Sequence, residues 1–185
     1  MNLKNHFIIA MPTISDPTFS RSVIYICEHN RDGAMGITIN KPILELNVST
    51  VLTRLDITAS KNCAELEQPV FAGGPIAEEQ GFILHTPQQG FSSSIQISDD
   101  VMITTSLDLL KTIGSPEQPK DILLALGYTS WQSLQLEEEV ARNNWLVADT
   151  DPKIIFEIAI NERWQKAAES LGINMNTISH QMGNA

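Results

Sequence analysis

The sequence predicts an α+β fold, a mixed and mostly antiparallel sheet with helices between and after its strands. Three observations carry this reading. Residues 21–30, the turn Arg31-Asp32-Gly33 and residues 34–42 form a β-hairpin pattern with a β-branched and aromatic interior and polar ends. Residues 122–126 are apolar without alternation, which marks a central strand buried on both faces. Strands grouped as hairpins, with helical stretches interspersed irregularly, argue against a regular βαβ repeat.

The elements follow in order. Residues 6–11 form an apolar strand stopped by Pro12, and Ser15-Asp16-Pro17 is turn chemistry leading into the hairpin. In the hairpin, simple pairing places Glu28 opposite Ala34 and Ser22 opposite Asn40. Val48, Val51, Leu52 and Leu55 recur at helical spacing behind Asn47, a candidate N-cap, so residues 48–55 are read as a short helix. Residues 58–67 are polar and loop-like. Strands are expected at 69–72, before Gly73-Gly74-Pro75, and at 81–86, and a second hairpin at 94–97 and 101–105. Ser106 is read as the cap of a helix over 107–113, with Gly114 as its left-handed stop. Gly127 is read as leaving the central strand, and Ser133 as capping a helix that runs to Asn143. Residues 145–148 and 154–158 are strand candidates, residues 161–171 the last helix, and residues 174–185 a frayed tail.

A chain of 185 residues fits one domain spanning 1–185, and its 42% hydrophobic content places it among chains able to build a core without a metal or disulfide staple. The formal net charge of -10, with Lys and Arg scattered singly, disfavours direct nucleic-acid binding, which needs a basic face. Cys27 and Cys63 stand in unrelated contexts and are expected as free thiols. The amino terminus lacks the apolar stretch of a secretory signal, and no apolar run approaches the length of a membrane span. These features point to a cytoplasmic protein with no membrane partner.

Candidate chemistry concentrates at the hairpin ends. Arg21, Asn40 and Lys41 gather at the open end, where they form either solvated strand-end charges or an anion-binding site, while Glu28, His29 and Asn30 sit at the turn. The two groups are on the order of 20 Å apart, so neither completes the other. Parity puts Cys27 on the same face as Val23 and Tyr25, a buried position, with His29 next on that face as the neighbour a redox or nucleophilic thiol would need. Gly73 and Gly74 match neither a P-loop nor a dinucleotide fingerprint and are read as a tight turn. His85 is read as a satisfied strand-end histidine, and both segments are candidates to lie beside one hairpin tip. No zinc-type spacing of His and Cys occurs, and no nucleophile elbow; no metal and no cofactor is expected.

Several ordered motifs resemble the YqgE/AlgH family of bacterial proteins. They are Phe7-Ile8-Ile9-Ala10-Met11-Pro12, Phe19-Ser20-Arg21-Ser22-Val23, Cys27-Glu28-His29-Asn30, Gly33-Ala34-Met35-Gly36 and Asn40-Lys41-Pro42. The likeness continues through Gly73-Gly74-Pro75, Gly81-Phe82-Ile83-Leu84-His85, Ala125-Leu126-Gly127-Tyr128, Trp131, Gln135-Leu136-Glu137 and Asn144-Trp145-Leu146, nearly the whole chain. The resemblance implies a branched sheet curled into a pseudo-barrel with flanking helices, and a cytosolic location. It implies no enzyme, since the family has no established activity, although one branch carries the label of transcriptional regulator of alginate production. The expected function is a non-enzymatic binding or regulatory domain acting through a protein or small anionic ligand, any regulation being indirect. The alternative is a small enzyme or redox-responsive protein using Cys27, His29 and Glu28.

Overall fold

The computed structural model describes residues 1–182. Its strands are β1 (His6–Ala10), β2 (Val23–Asn30), β3 (Gly33–Thr38), β4 (Pro42–Asn47), β5 (Pro69–Ala72), β6 (Ile76–His85), β7 (Ser94–Gln96), β8 (Met102–Thr104), β9 (Ile122–Gln132) and β10 (Trp145–Asp149). The helices are α1 (Val48–Arg54), α2 (Gln135–Ala141), α3 (Pro152–Phe156), α4 (Arg163–Glu169) and α5 (Met175–Met182). One ten-stranded sheet runs in the order β10-β1-β2-β3-β9-β6-β8-β7, with β4 and β5 as a side branch. All pairings are antiparallel except that of β5 with β9. The mix of strands and helices is the α+β class that the element order predicts, and the sheet curls into a half-barrel, as the family resemblance implies.

The branch has a local cause. Along one edge of β9, Ala125 and Leu126 pair with β5, whereas residues 129–132 of the same strand pair with β3. Gly73, just past β5, joins the two. Its N–H donates to Leu126 O, and its carbonyl accepts from Thr38 N at the end of β3. At this crossing Gly127 holds φ +77, and a Cβ there would fall 2.3 Å from Gly74 O. Only glycine lets the backbones pass. Gly127 therefore bends a strand that continues to Gln132, rather than ending it as the sequence suggested.

Both faces of the first strands are buried, so the apolar residues need not alternate with polar ones. Phe7, Ile9, Val23 and Tyr25 face one core that Ile154, Ile155, Trp164, Ala167, Ala168 and Met175 cover from the helices. Ile8, Ala10, Ile24 and Ile26 face the other, with Trp131, Leu136 and Trp145. A third cluster lies under α1, whose cap is Asn47 as expected: its side chain accepts from Thr50 N at 2.9 Å.

Several expectations fail for identifiable reasons. Residues 154–158 are not a strand. Asp151 accepts from Lys153 N and Pro152 occupies the first helical turn, a start signal that outweighs the β-branched pair and builds α3. No α-helix forms over 107–113, where only Leu110–Thr112 makes a 3₁₀ turn. Ser106 is no cap, because its hydroxyl donates to Asp108 Oδ1 and accepts from Ser93 N. Ser133 instead donates to Arg31 O, and α2 starts after Leu134 in the left-handed region. Residues 42–47 continue as β4 after the hairpin, Ala64–Glu67 makes a 3₁₀ turn within the expected loop, and β6 begins at Ile76. The expected tail includes α5, anchored by the fully buried Met175; its residues 183–185 lie outside the described residues. Among the described residues, no helix is long and apolar enough to cross a membrane.

Candidate functional site

The hairpin register decides which candidates can meet. Ile24 pairs with Thr38 as simple pairing predicts, but the register slips at Cys27. There a bulge places Glu28 opposite Met35 and His29 opposite Ala34, so the expected Glu28–Ala34 pairing is displaced by one residue. The slip inverts the parity beyond it. Cys27 stays in the first core, 6% exposed, and Glu28 shares its cleft with Met35, whereas His29 turns to the second core with Ala34. The expected placement of His29 on Cys27's face is thus corrected. Burial pushes the Cys27 thiol far above its usual range, and its sulfur donates to Tyr25 O. It is a core residue, as parity had suggested.

His29 has its own tether. Its Nδ1 accepts from Leu3 N at 2.8 Å, so the proton sits on Nε2, which donates to Glu137 Oε1 at 2.9 Å. This pair fastens the amino-terminal segment and α2 to the tip of β2. Asn30 closes the turn, its Oδ1 accepting from Asp32 N while Nδ2 donates to Glu28 Oε1. His85 is fully buried, with Nδ1 donating to Thr86 O and Nε2 accepting from Thr104 Oγ1, and desolvation lowers its pKa. It is a satisfied histidine. It pairs with Met102 and with Ile122 at the start of β9, whereas the hairpin turn pairs with Gln132 at the strand's other end, and it does not line the cleft of Arg21, so the expected place beside a hairpin tip is corrected. Gly73 reaches the end of β3 through its carbonyl on Thr38 N and Gly74 packs against Tyr128, so the two form the packed turn at the sheet branch and neither lines the cleft at the open end.

The open end assembles into a cleft of about 460 Å³. Arg21, Asn40 and Lys41 line it together with Trp164 and Lys166 of α4. Arg21 adopts φ 57, and this bend lets its carbonyl accept from Asn40 Nδ2 at 2.8 Å; Asn40 Oδ1 in turn accepts from Val23 N. Asn40 is therefore the bracket that locks the two strand ends. The Arg21 guanidinium stacks over Trp164 at 4.6 Å from the ring centroid, and the indole donates to Ala10 O. Lys41 donates to Ser20 O at 2.6 Å, and burial, then the nearby Arg21 charge, lowers its pKa. Among the described residues neither Arg21 nor Lys41 has a carboxylate within 4.0 Å, whereas Lys166 pairs with Glu169 at 2.9 Å. Such a site can bind a compact anion by charge and hydrogen bonds.

Sequence reasoning missed Trp164 and Lys166. Trp164 reads as one residue of a helix's apolar face, and nothing in its spacing shows that β2 and β3 end above it. A second, more apolar cleft of about 590 Å³ is lined by Cys27, Glu28, Phe82, Ile103 and Tyr128. Among the described residues, no three His, Cys, Asp or Glu side chains converge as metal ligands would.

These features define a class of protein: an α+β chain whose branched sheet curls into a half-barrel, with polar side chains gathered in clefts along it. The chain belongs to the AlgH-like family, whose model matches residues 7–176. It is 57% identical to a UPF0301 protein of Photorhabdus laumondii and 56% identical to one of Serratia proteamaculans, each over the full length of both chains. The solution structure of AlgH from Pseudomonas aeruginosa superimposes with a TM-score of 0.79 at 37% identity, covering 97% of this chain and 94% of that one. A crystal structure of protein DIP2367 from Corynebacterium diphtheriae shares the fold, with a TM-score of 0.76 at 17% identity over 97% and 92% of the two chains.

Proposed function

We propose that this protein is a non-enzymatic binding domain of the cytoplasm whose Arg21–Lys41 cleft takes a small anionic ligand, and that any regulatory effect passes through that ligand or a protein partner. One observation carries the reading. In a chain of net charge -10, Arg21 and Lys41 line one cleft, and among the described residues neither has a carboxylate within 4.0 Å. Glu162 and Glu169 also line the cleft, but Glu169 is paired with Lys166, which leaves Arg21 and Lys41 as cations open to an anionic ligand. The charge balance gives no support to direct DNA contact. The alternative, a small enzyme or redox-responsive protein using Cys27, His29 and Glu28, gains no support, because the bulge turns His29 away from a deeply buried, neutral thiol.

The test is a thermal-shift and calorimetric titration with inorganic phosphate, pyrophosphate, nucleotides and sugar phosphates. At least one should stabilise the protein, and Arg21→Gln and Lys41→Gln should each weaken its binding about tenfold, as loss of a charge-assisted contact does. No stabilisation of the unsubstituted protein by any of them would remove the proposal.

A further inference from the structure

A different cleft, of about 350 Å³, opens between the β1–β2 connection, β9, α2 and the start of β10. It shares no residue with the Arg21 cleft. Its walls include Phe19, Trp131 and Trp145, and its polar groups include Glu139 and Thr129; no Lys, Arg or His lines it. The rings stand nearly perpendicular, Phe19 to Trp145 at 83° and Trp131 to Trp145 at 85°, with centroids 6.0 and 6.3 Å apart.

Glu139 gives the cleft its charge. Its Oε2 accepts both indole N–H groups, from Trp131 at 3.0 Å and Trp145 at 2.8 Å, and its Oε1 accepts from Gln135 at 3.0 Å. All three donors are neutral, so they orient the carboxylate without cancelling its charge. Oε1 keeps an acceptor position. Among the described residues no cation lies within 4.0 Å of it. Thr129, two residues before Trp131 on the same face of β9, is 5% exposed, and its hydroxyl has no hydrogen-bond partner among the described residues. An unpartnered hydroxyl in a native interior calls for an explanation.

We propose that this cleft binds a small organic cation bearing N–H groups, an alkylammonium or alkylguanidinium. Both indoles turn their positive N–H edges to Glu139, so the carboxylate supplies the counter-charge, and the rings supply an apolar wall for the ligand's alkyl part. The Thr129 hydroxyl, buried and unpartnered beside the cleft, rotates about χ1 to accept a hydrogen bond from the ligand. The net charge of -10 favours the approach of a cation over that of an anion. The same head group occurs on free amines and on lysine or arginine side chains, so the test must separate those sources.

The experiment follows the indole Nε1–H resonances of the three tryptophans by ¹⁵N–¹H correlation, each assigned by substitution. The probes are n-butylammonium, n-butylguanidinium, n-butanol as their neutral counterpart, and a blocked Gly-Arg-Gly peptide. The two free cations should shift the Trp131 and Trp145 resonances saturably at millimolar concentration and leave Trp164 in place. Binding of the peptide as well would identify a protein side chain as a source; binding of the free cations alone would identify a small amine. Glu139→Gln, which can still accept the indole N–H groups, should weaken binding about tenfold or more. Thr129→Val should weaken it about threefold or more without lowering the melting temperature, because it removes a hydroxyl that the fold leaves unpartnered. Saturation by n-butanol equal to that by the cations, no cation-dependent shift, or unchanged affinity in Thr129→Val would each overturn the proposal. The valine variant keeps it testable should Glu139→Gln fail to fold.

Discussion

Replacing Gly127 by alanine tests the account of the sheet branch most directly. Two costs should add. At φ +77 an alanine carries the left-handed penalty, about 1–2 kcal/mol. Its Cβ would also stand 2.3 Å from Gly74 O and 3.0 Å from Ile76 O, where ordinary contact is roughly 3.5 Å. One backbone must retreat by about 1 Å, which loosens the bonds from Gly73 N to Leu126 O and from Thr38 N to Gly73 O, each worth about 0.5–1.5 kcal/mol. The expected loss is about 3 kcal/mol, or roughly 6–12 °C in melting temperature for a chain of this size. Gly172→Ala is the control. Gly172 holds φ +72 with nothing within 4 Å of an added Cβ, so alanine there bears the dihedral cost alone. Urea titrations of the two variants should differ by about 1–2 kcal/mol, with m-values unchanged. A difference under about 0.5 kcal/mol would refute the close-approach argument.

Two further outcomes follow from burial. In the native protein at about pH 8 a thiol reagent should consume Cys63, which is partly exposed, and leave Cys27 protected until the chain unfolds; rapid labelling of both would contradict the buried, neutral Cys27. His85 should make stability depend on acid. Its pKa is lowered in the fold from 6.5, so as pH falls below that value the unfolded chain takes up a proton that the folded chain resists. Stability is then lost toward pH 5, with this one group contributing at most about 1.4 kcal/mol per pH unit. In His85→Gln the midpoint of urea unfolding should depend less steeply on pH between 7 and 5, and an equal slope would show that His85 is not the titrating group.

Much of the fold was legible because burial acts locally on residue choice. The unbroken apolar run beginning at Ile122 announced a two-faced central strand, and Asn47 announced α1, since a cap acts within three residues of itself. Competition misled the reading at Ile154 and Ile155, where β-branched side chains argued for a strand and Asp151-Pro152 for a helix; contact with the core settled it. At Ser106, the hydroxyl's bonds with Asp108 and with the more distant Ser93 settled it.

For the candidate clefts the division is sharper. Residue pattern alone showed the central strand, the buried lot of Cys27, the gathering of Arg21, Asn40 and Lys41 at one end of the hairpin, and the lack of any familiar phosphate or zinc spacing. Contacts between elements were needed to show that one extra residue at Cys27 turns His29 to the opposite face, that Trp164 lies beneath Arg21, and that Glu139 binds two indoles beside a cleft. The reason is physical. Periodicity encodes which way a side chain points from its own element, whereas a bulge, a branch or a helix docked from more than a hundred residues away is fixed by packing between elements, which no local pattern records.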